Sequence, residues 1–102
     1  MNELEKLAAE LGATLKTHGF MLALAESCTG GMVAQAVTSL AGSSAWFDRG
    51  FVTYSNSAKI DMLGVSAETL EKFGAVSEQT AAKMATGALN TVRHTLLVAL
   101  QA

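Results

Sequence analysis

The sequence predicts a protein of the α/β class, because apolar runs of strand length alternate with stretches whose apolar residues recur at helical spacing. The first run, Phe20 to Ala25, is continuous and too short for an independent helix, as expected of a strand buried on both faces. A turn, Ala25-Glu26-Ser27-Cys28-Thr29-Gly30-Gly31, follows it, and helical periodicity resumes directly afterwards. The second run, Trp46 to Ser55, is rich in aromatic and β-branched residues.

Taken in order, Leu4, Leu7, Ala8, Leu11 and Leu15 define an amphipathic helix from Glu3 to His18, with Gly19 where a C-cap glycine belongs. Its polar face, Glu3, Lys6, Glu10 and Lys16, reads as solvated surface, and His18 as a capping side chain. After the strand and turn, Met32, Val33, Ala36, Val37 and Leu40 predict a helix of about three turns ended by Gly42. Asp48-Arg49-Gly50 interrupts the second apolar run as a bulge or a turn, and we read one bent strand. Ser57 is expected to cap a short helix through Leu63, and Ser66 another from Ala67 to Phe73. Ser77 is expected to cap a last helix running to the C-terminus. Ala81, Ala82, Met84, Ala85, Ala88 and Leu89 give it a small-residue face for close packing, and Val92, Leu96, Leu97 and Leu100 a stripe beyond. Only two strands are clear, few for a stable sheet.

The chain has 102 residues, enough for one domain and one core. Half are hydrophobic and 16% charged, so the polar surface is thin and self-association as a homo-oligomer is expected, through the small-residue face and the leucine stripe of the last helix. A net charge of −2 and scattered Lys and Arg residues give no basic field, which argues against nucleic acid as a partner. The single Cys28 excludes an intrachain disulfide and suits a reducing cytoplasm, and no Cys/His spacing suggests a metal site. No apolar run approaches the ~18 residues of a membrane span, and the acidic N-terminus is unlike a secretory signal.

The chemistry centres on the turn after the first strand. Glycines there let backbone approach a ligand, and the N–H groups of a helix start favour an anion or a developing oxyanion. Ser27 and Cys28 are both possible nucleophiles, although a lone cysteine is more often a small buried hydrophobe. Glu26 could act as a base or cap or pair at the strand end, and the structural role is the stronger reading. Thr29 reads as an N-cap, and Ser55 as a turn residue. Asp48 and Arg49 form the simplest of turn pairs, with Arg49 able to reach a phosphate of a neighbouring subunit. A nucleophilic serine needs a proton acceptor, and His18 and His94 lie in amphipathic stretches without any motif. Lysine is the other option, through Lys59 with Tyr54 in Tyr54-Ser55-Asn56-Ser57-Ala58-Lys59.

Four stretches in one order carry a resemblance: Leu24-Ala25-Glu26-Ser27-Cys28-Thr29-Gly30-Gly31, Gly50-Phe51-Val52-Thr53-Tyr54-Ser55-Asn56-Ser57-Ala58-Lys59, Leu63-Gly64-Val65 and Gly74-Ala75-Val76-Ser77-Glu78. The chain resembles the CinA C-terminal domain family, the nicotinamide mononucleotide deamidases. That resemblance implies a three-layer α/β/α domain over residues 1–102 that hydrolyses a small-molecule nucleotide to nicotinate mononucleotide and ammonia, without metal or cofactor. Ser27 matches the family's nucleophile, and Tyr54 and Lys59 match residues proposed to activate it. Thr29, Gly30 and Gly31 fall where the substrate phosphate or oxyanion would meet the helix start. Thr91 to Leu97 resembles the family's final helix, joined directly to Asn90 where the family carries a longer segment with further strands. An incomplete sheet follows from that. The alternative function is a catalytically silent nucleotide-binding or oligomerisation module.

Overall fold

The computed structural model describes residues 2–92 and the backbone of residues 96–100. Three parallel strands form the sheet, β1 (Met21–Glu26), β2 (Phe47–Val52) and β3 (Leu96–Leu100), in the order β2-β1-β3. Helices α1 (Glu3–His18) and α2 (Met32–Thr38) cover one face. On the other, α5 (Glu78–Asn90) packs on β1 and β3, and α3 (Asn56–Leu63) and α4 (Ala67–Phe73) pack on α5. The expected α/β/α layering is present.

Alternation along β1 builds two cores. Leu22 and Leu24 join Ala8, Leu15, Val37 and Trp46 under α1 and α2, while Ala25 joins Leu63, Val65, Leu70, Met84 and Ala88 under α3 to α5. All of β1 except Met21 is buried, as expected of a central parallel strand. Between Leu22 and Ala23 the register of β2 skips Asp48, so Leu22 faces Phe47 and Ala23 faces Arg49. The Asp48-Arg49-Gly50 interruption is therefore a bulge in one strand. Phe47, before it, packs against the α1/α2 core, and Phe51, after it, against the other.

α1 has the expected bounds. The Asn2 side chain accepts the Glu5 N–H at 2.8 Å while the Glu5 carboxylate accepts the Asn2 N–H at 3.2 Å, a capping box written in Asn2-x-x-Glu5. His18 Nδ1 bonds the Thr14 carbonyl in the last turn, the capping role expected of it. Two backbones meet other elements at glycines: Gly12 of α1 lies against the Trp46 ring, and Gly87 of α5 against the Leu63 carbonyl at the end of α3.

Four expectations need correction. α2 stops at Thr38 after two turns rather than near Gly42, which instead precedes a 3₁₀ turn, Ser43–Ala45. The cap of α3 is Ser55, whose Oγ accepts the Ala58 N–H at 3.0 Å; Ser57 lies inside the helix. The helix expected to reach the C-terminus ends at Asn90, and Leu96–Leu100 is a strand paired with Met21–Ala25. A continuous apolar run is common to buried helices and central parallel strands, so periodicity could not separate them; the final helix that the resemblance implied through Leu97 is a strand at Leu96 and Leu97. The expected self-association surface is correct only in part, since of its α5 residues Ala82 and Leu89 are exposed and Ala85 half-buried. Leu96, Leu97 and Leu100 form no helical stripe, and Ala81 and Ala88 are buried within the fold. Expectations on Arg93, His94 and Thr95 lie outside the described residues.

Candidate active site

In the order β2-β1-β3 the chain leaves β1 toward one neighbour by way of α2 and reaches the other by way of α3 to α5, with helices on opposite faces. The carboxyl end of β1 is thus the point where the strand order reverses, the place where open α/β sheets leave a crevice for ligands. Ser27 is the first residue beyond that end and is 6% exposed. Cys28 beside it is exposed, which corrects its reading as a buried hydrophobe. The turn takes Ser27 inward as the last extension of the strand and leaves Cys28 on the outer side.

Gly30 (φ 61°) and Gly31 (φ 103°) turn the chain into α2 through the left-handed region, where a β-carbon is strained. Gly31 occupies the cap position expected for Thr29 and offers no side chain to it. The cap comes instead from Glu26. Its Oε1 accepts the Thr29 hydroxyl at 2.7 Å and the Val33 N–H at 3.0 Å, and its Oε2 accepts the Ala34 N–H at 2.9 Å. Glu26 is wholly buried, so the structural role favoured for it is the one observed. A consequence concerns Thr29, Gly30 and Gly31 as ligand contacts. Donors at the start of α2 are already engaged, and Gly30 N–H bonds the Ser27 carbonyl at 3.0 Å. The N–H groups of Cys28, Thr29 and Gly31 have no acceptor among the described residues.

Lys59 enters from α3 and is wholly buried. Its Nζ donates to the carbonyls of Thr53 at 2.9 Å and Tyr54 at 3.0 Å. The Thr53 N–H donates to the Glu26 carbonyl at 2.8 Å, which extends the β1–β2 ladder one step past its last pair. Lys59 is therefore tied to the residue before Ser27 through Thr53 alone. Tyr54 meets Lys59 through its main chain, and the residue is 73% exposed. Among the described residues no hydrogen bond joins the Ser27 hydroxyl to Lys59 or to the Tyr54 hydroxyl. The three share one edge of the sheet without a closed relay.

Sequence reasoning missed Thr53, which acts mainly through backbone atoms, with its hydroxyl adding a long bond of 3.5 Å to the Glu26 carbonyl. Two cavities, of about 320 and 130 Å³, lie between α1 and α2 and are lined by neither Ser27, Tyr54 nor Lys59. The larger has a mixed wall, with Asn2, Glu5, Gln35 and Ser39 beside Leu4 and Met32, and the smaller is lined by apolar side chains alone. Asp48 and Arg49 pair with each other, but within strand β2 at its bulge, which corrects their reading as a turn pair. Among the described residues no three His, Cys, Asp or Glu side chains come together to hold a metal ion, and no helix is long and apolar enough to cross a membrane.

The family model for the CinA C-terminal domain matches residues 4–101. The chain belongs to the CinA C-terminal domain family. Among curated CinA relatives, the nicotinamide-nucleotide amidohydrolase PncC of Enterobacter agglomerans is 61% identical over 87 residues, 85% of this chain and 53% of its own. That of Escherichia coli K12 is 55% identical over 92 residues, 90% of this chain and 56% of its own. Among solved CinA structures, the competence/damage inducible protein CihA of Agrobacterium tumefaciens superposes with a TM-score of 0.86 at 55% identity, covering 92% of this chain and 57% of that one. The competence damage-inducible protein A of Klebsiella pneumoniae gives 0.84 at 42% identity, over 89% and 56%. The chain spans about half the length of the CinA relatives it matches.

Proposed function

We propose that this chain hydrolyses the carboxamide of nicotinamide mononucleotide, giving nicotinate mononucleotide and ammonia in a cytoplasmic salvage reaction. The observation that carries the reading is Ser27 at the carboxyl end of the central strand, with Lys59 buried and linked to that strand end through Thr53. Membership of a family with relatives named nicotinamide-nucleotide amidohydrolase supports the substrate class.

In this scheme Ser27 Oγ attacks the carboxamide carbon and Lys59 takes the hydroxyl proton. Turn N–H groups at Cys28, Thr29 and Gly31 carry the oxyanion or the substrate phosphate, with Gly30 keeping the backbone open to them. Collapse of the tetrahedral intermediate breaks the C–N bond, and the proton held by Lys59 leaves with ammonia. Water then hydrolyses the acyl-enzyme by the same steps in reverse order, restoring the serine. Tyr54, beside Lys59 and largely exposed, orients the substrate from the rim.

A second reading, a catalytically silent nucleotide-binding or oligomerisation module, draws on the share of the relatives' length this chain spans. Ammonia release from nicotinamide mononucleotide separates the two. Ser27→Ala is expected to abolish release while binding measured by calorimetry persists, and Cys28→Ala to leave the rate within about twofold. Release by Ser27→Ala, or its loss in Cys28→Ala, overturns the assignment of the nucleophile, and a wild-type chain that binds the nucleotide without releasing ammonia establishes the second reading.

A further inference from the structure

We infer that Glu26 is a positioning residue for this site: its carboxylate holds the Ser27 turn in its working conformation by replacing a side-chain cap on α2. The inference rests on the proposed amidase reading and adds a residue to which that scheme gives no step. Bonds of Glu26 run from the Ser27 turn both to the end of β2 and to α2. Its carbonyl accepts the Thr53 N–H, and Thr53 in turn accepts from Lys59 Nζ. Its carboxylate spans the turn to Thr29 and then to Val33 and Ala34 on α2.

The physical need for such a clamp follows from the turn's composition. Gly30 and Gly31 lose more conformational freedom on ordering than any other residues, and neither supplies a cap. Left alone, a turn of this kind samples many arrangements, and the Ser27 hydroxyl and the unengaged N–H groups move with it. Three hydrogen bonds accepted by one buried carboxylate remove that freedom. They also consume the donors of α2, so that a ligand is met by turn amides at Cys28, Thr29 and Gly31 and not by the helix itself. A buried carboxylate with no cationic partner among the described residues is costly to keep unless its acceptors are filled, and here both oxygens are.

The test compares wild type with Glu26→Gln. Glutamine keeps the shape and one acceptor oxygen but presents an NH₂ group where one of the donors now bonds. Expected for Glu26→Gln is a kcat lower by about 10²-fold per folded molecule, from displacement of the nucleophile, with KM within about threefold. The folded fraction is read by circular dichroism, so a residue of purely structural importance would lower that fraction and leave the corrected kcat unchanged, which overturns the inference. Amide exchange read by NMR is the second arm and needs no catalysis: Val33, Ala34 and Gly30 are expected to exchange at least about tenfold faster in Glu26→Gln than in wild type. Should the wild type release no ammonia, the amidase reading falls, while exchange still decides whether the turn depends on Glu26. Equal protection in both proteins overturns that dependence.

Discussion

Lys59 Nζ lies 2.9 Å from the carbonyl oxygen of Thr53, a residue reached only after β2 has ended, so a helix side chain closes the open end of a strand. A second bond, to Tyr54 at 3.0 Å, makes Nζ a brace for two successive carbonyls that have left the sheet ladder. Lys59 thereby holds together the edge at which it is proposed to work. Structure and chemistry depend on the same atom.

Substitution of Lys59 is expected to act on both. In Lys59→Met the two carbonyls lose their donor, and a loss of about 1–3 kcal/mol in urea unfolding is expected together with loss of ammonia release. Arginine remains charged under all working conditions and is bulkier, so Lys59→Arg is expected to be as inactive as Lys59→Met. Activity in Lys59→Arg would mean that charge, and not proton transfer, is required. Tyr54→Phe keeps the main-chain carbonyl and changes only an exposed ring. It is expected to leave stability within about 0.5 kcal/mol and to lower the rate far less than either lysine variant.

The contact between α5 and α3 gives a separate expectation. A β-carbon on Gly87 would overlap the Leu63 carbonyl, a backbone atom that can yield only if one helix moves. Alanine improves an exposed helix by about 1 kcal/mol over glycine, yet overpacking costs about 1–3 kcal/mol and sometimes more, so Gly87→Ala is expected to be destabilising overall. The overlap at Gly12 is with the Trp46 side chain, and Gly12→Ala is expected to cost less. Thermal unfolding of both variants decides the order, and a Gly87→Ala protein more stable than wild type would show that the two helices do not meet so closely.

Acid titration addresses the start of α1. The hydrogen bond from the Asn2 backbone, followed by that from the Ser39 hydroxyl, holds the Glu5 carboxyl below its usual value of 4.5. A carboxyl lowered in the folded state binds its proton more readily when unfolded, so its contribution is present above the unfolded value and fades as pH falls through the folded one. Stability measured from pH 6 to about pH 3 is therefore expected to decline less steeply in Glu5→Gln than in wild type. Identical slopes would remove Glu5 from the acid response.

The fold was legible wherever one physical cue sufficed. α1 shows a clean apolar stripe and an ending glycine, β1 an unbroken apolar run, and α4 a serine and a glycine at its ends, and each lies where those cues put it within a residue. Leu96 to Leu100 was misread because five apolar residues in a row carry no period, and only pairing with β1 selects the strand. Within the site, the place of Ser27 was readable from a strand-turn-helix pattern. The hold on Lys59 was not, because its partners are carbonyl oxygens that every residue possesses. Glu26 lay between: its acidity was plain, but a cap reaching seven and eight residues ahead has no signature of the kind that links a cap to its own first turn.

The bulge at Asp48 has a consequence for how β2 can change. Residues four apart on a regular strand point the same way, yet Phe47 and Phe51 furnish opposite cores, because the extra residue between them reverses the alternation. Loss of the single codon for residue 48 would leave the two phenylalanines three positions apart on a regular strand, still facing opposite sides, so it would remove the bulge and keep each ring in its core. Over evolutionary time β2 can therefore shed its extra residue in one step, whereas loss of two residues between the aromatics would set both rings on one face and empty a core.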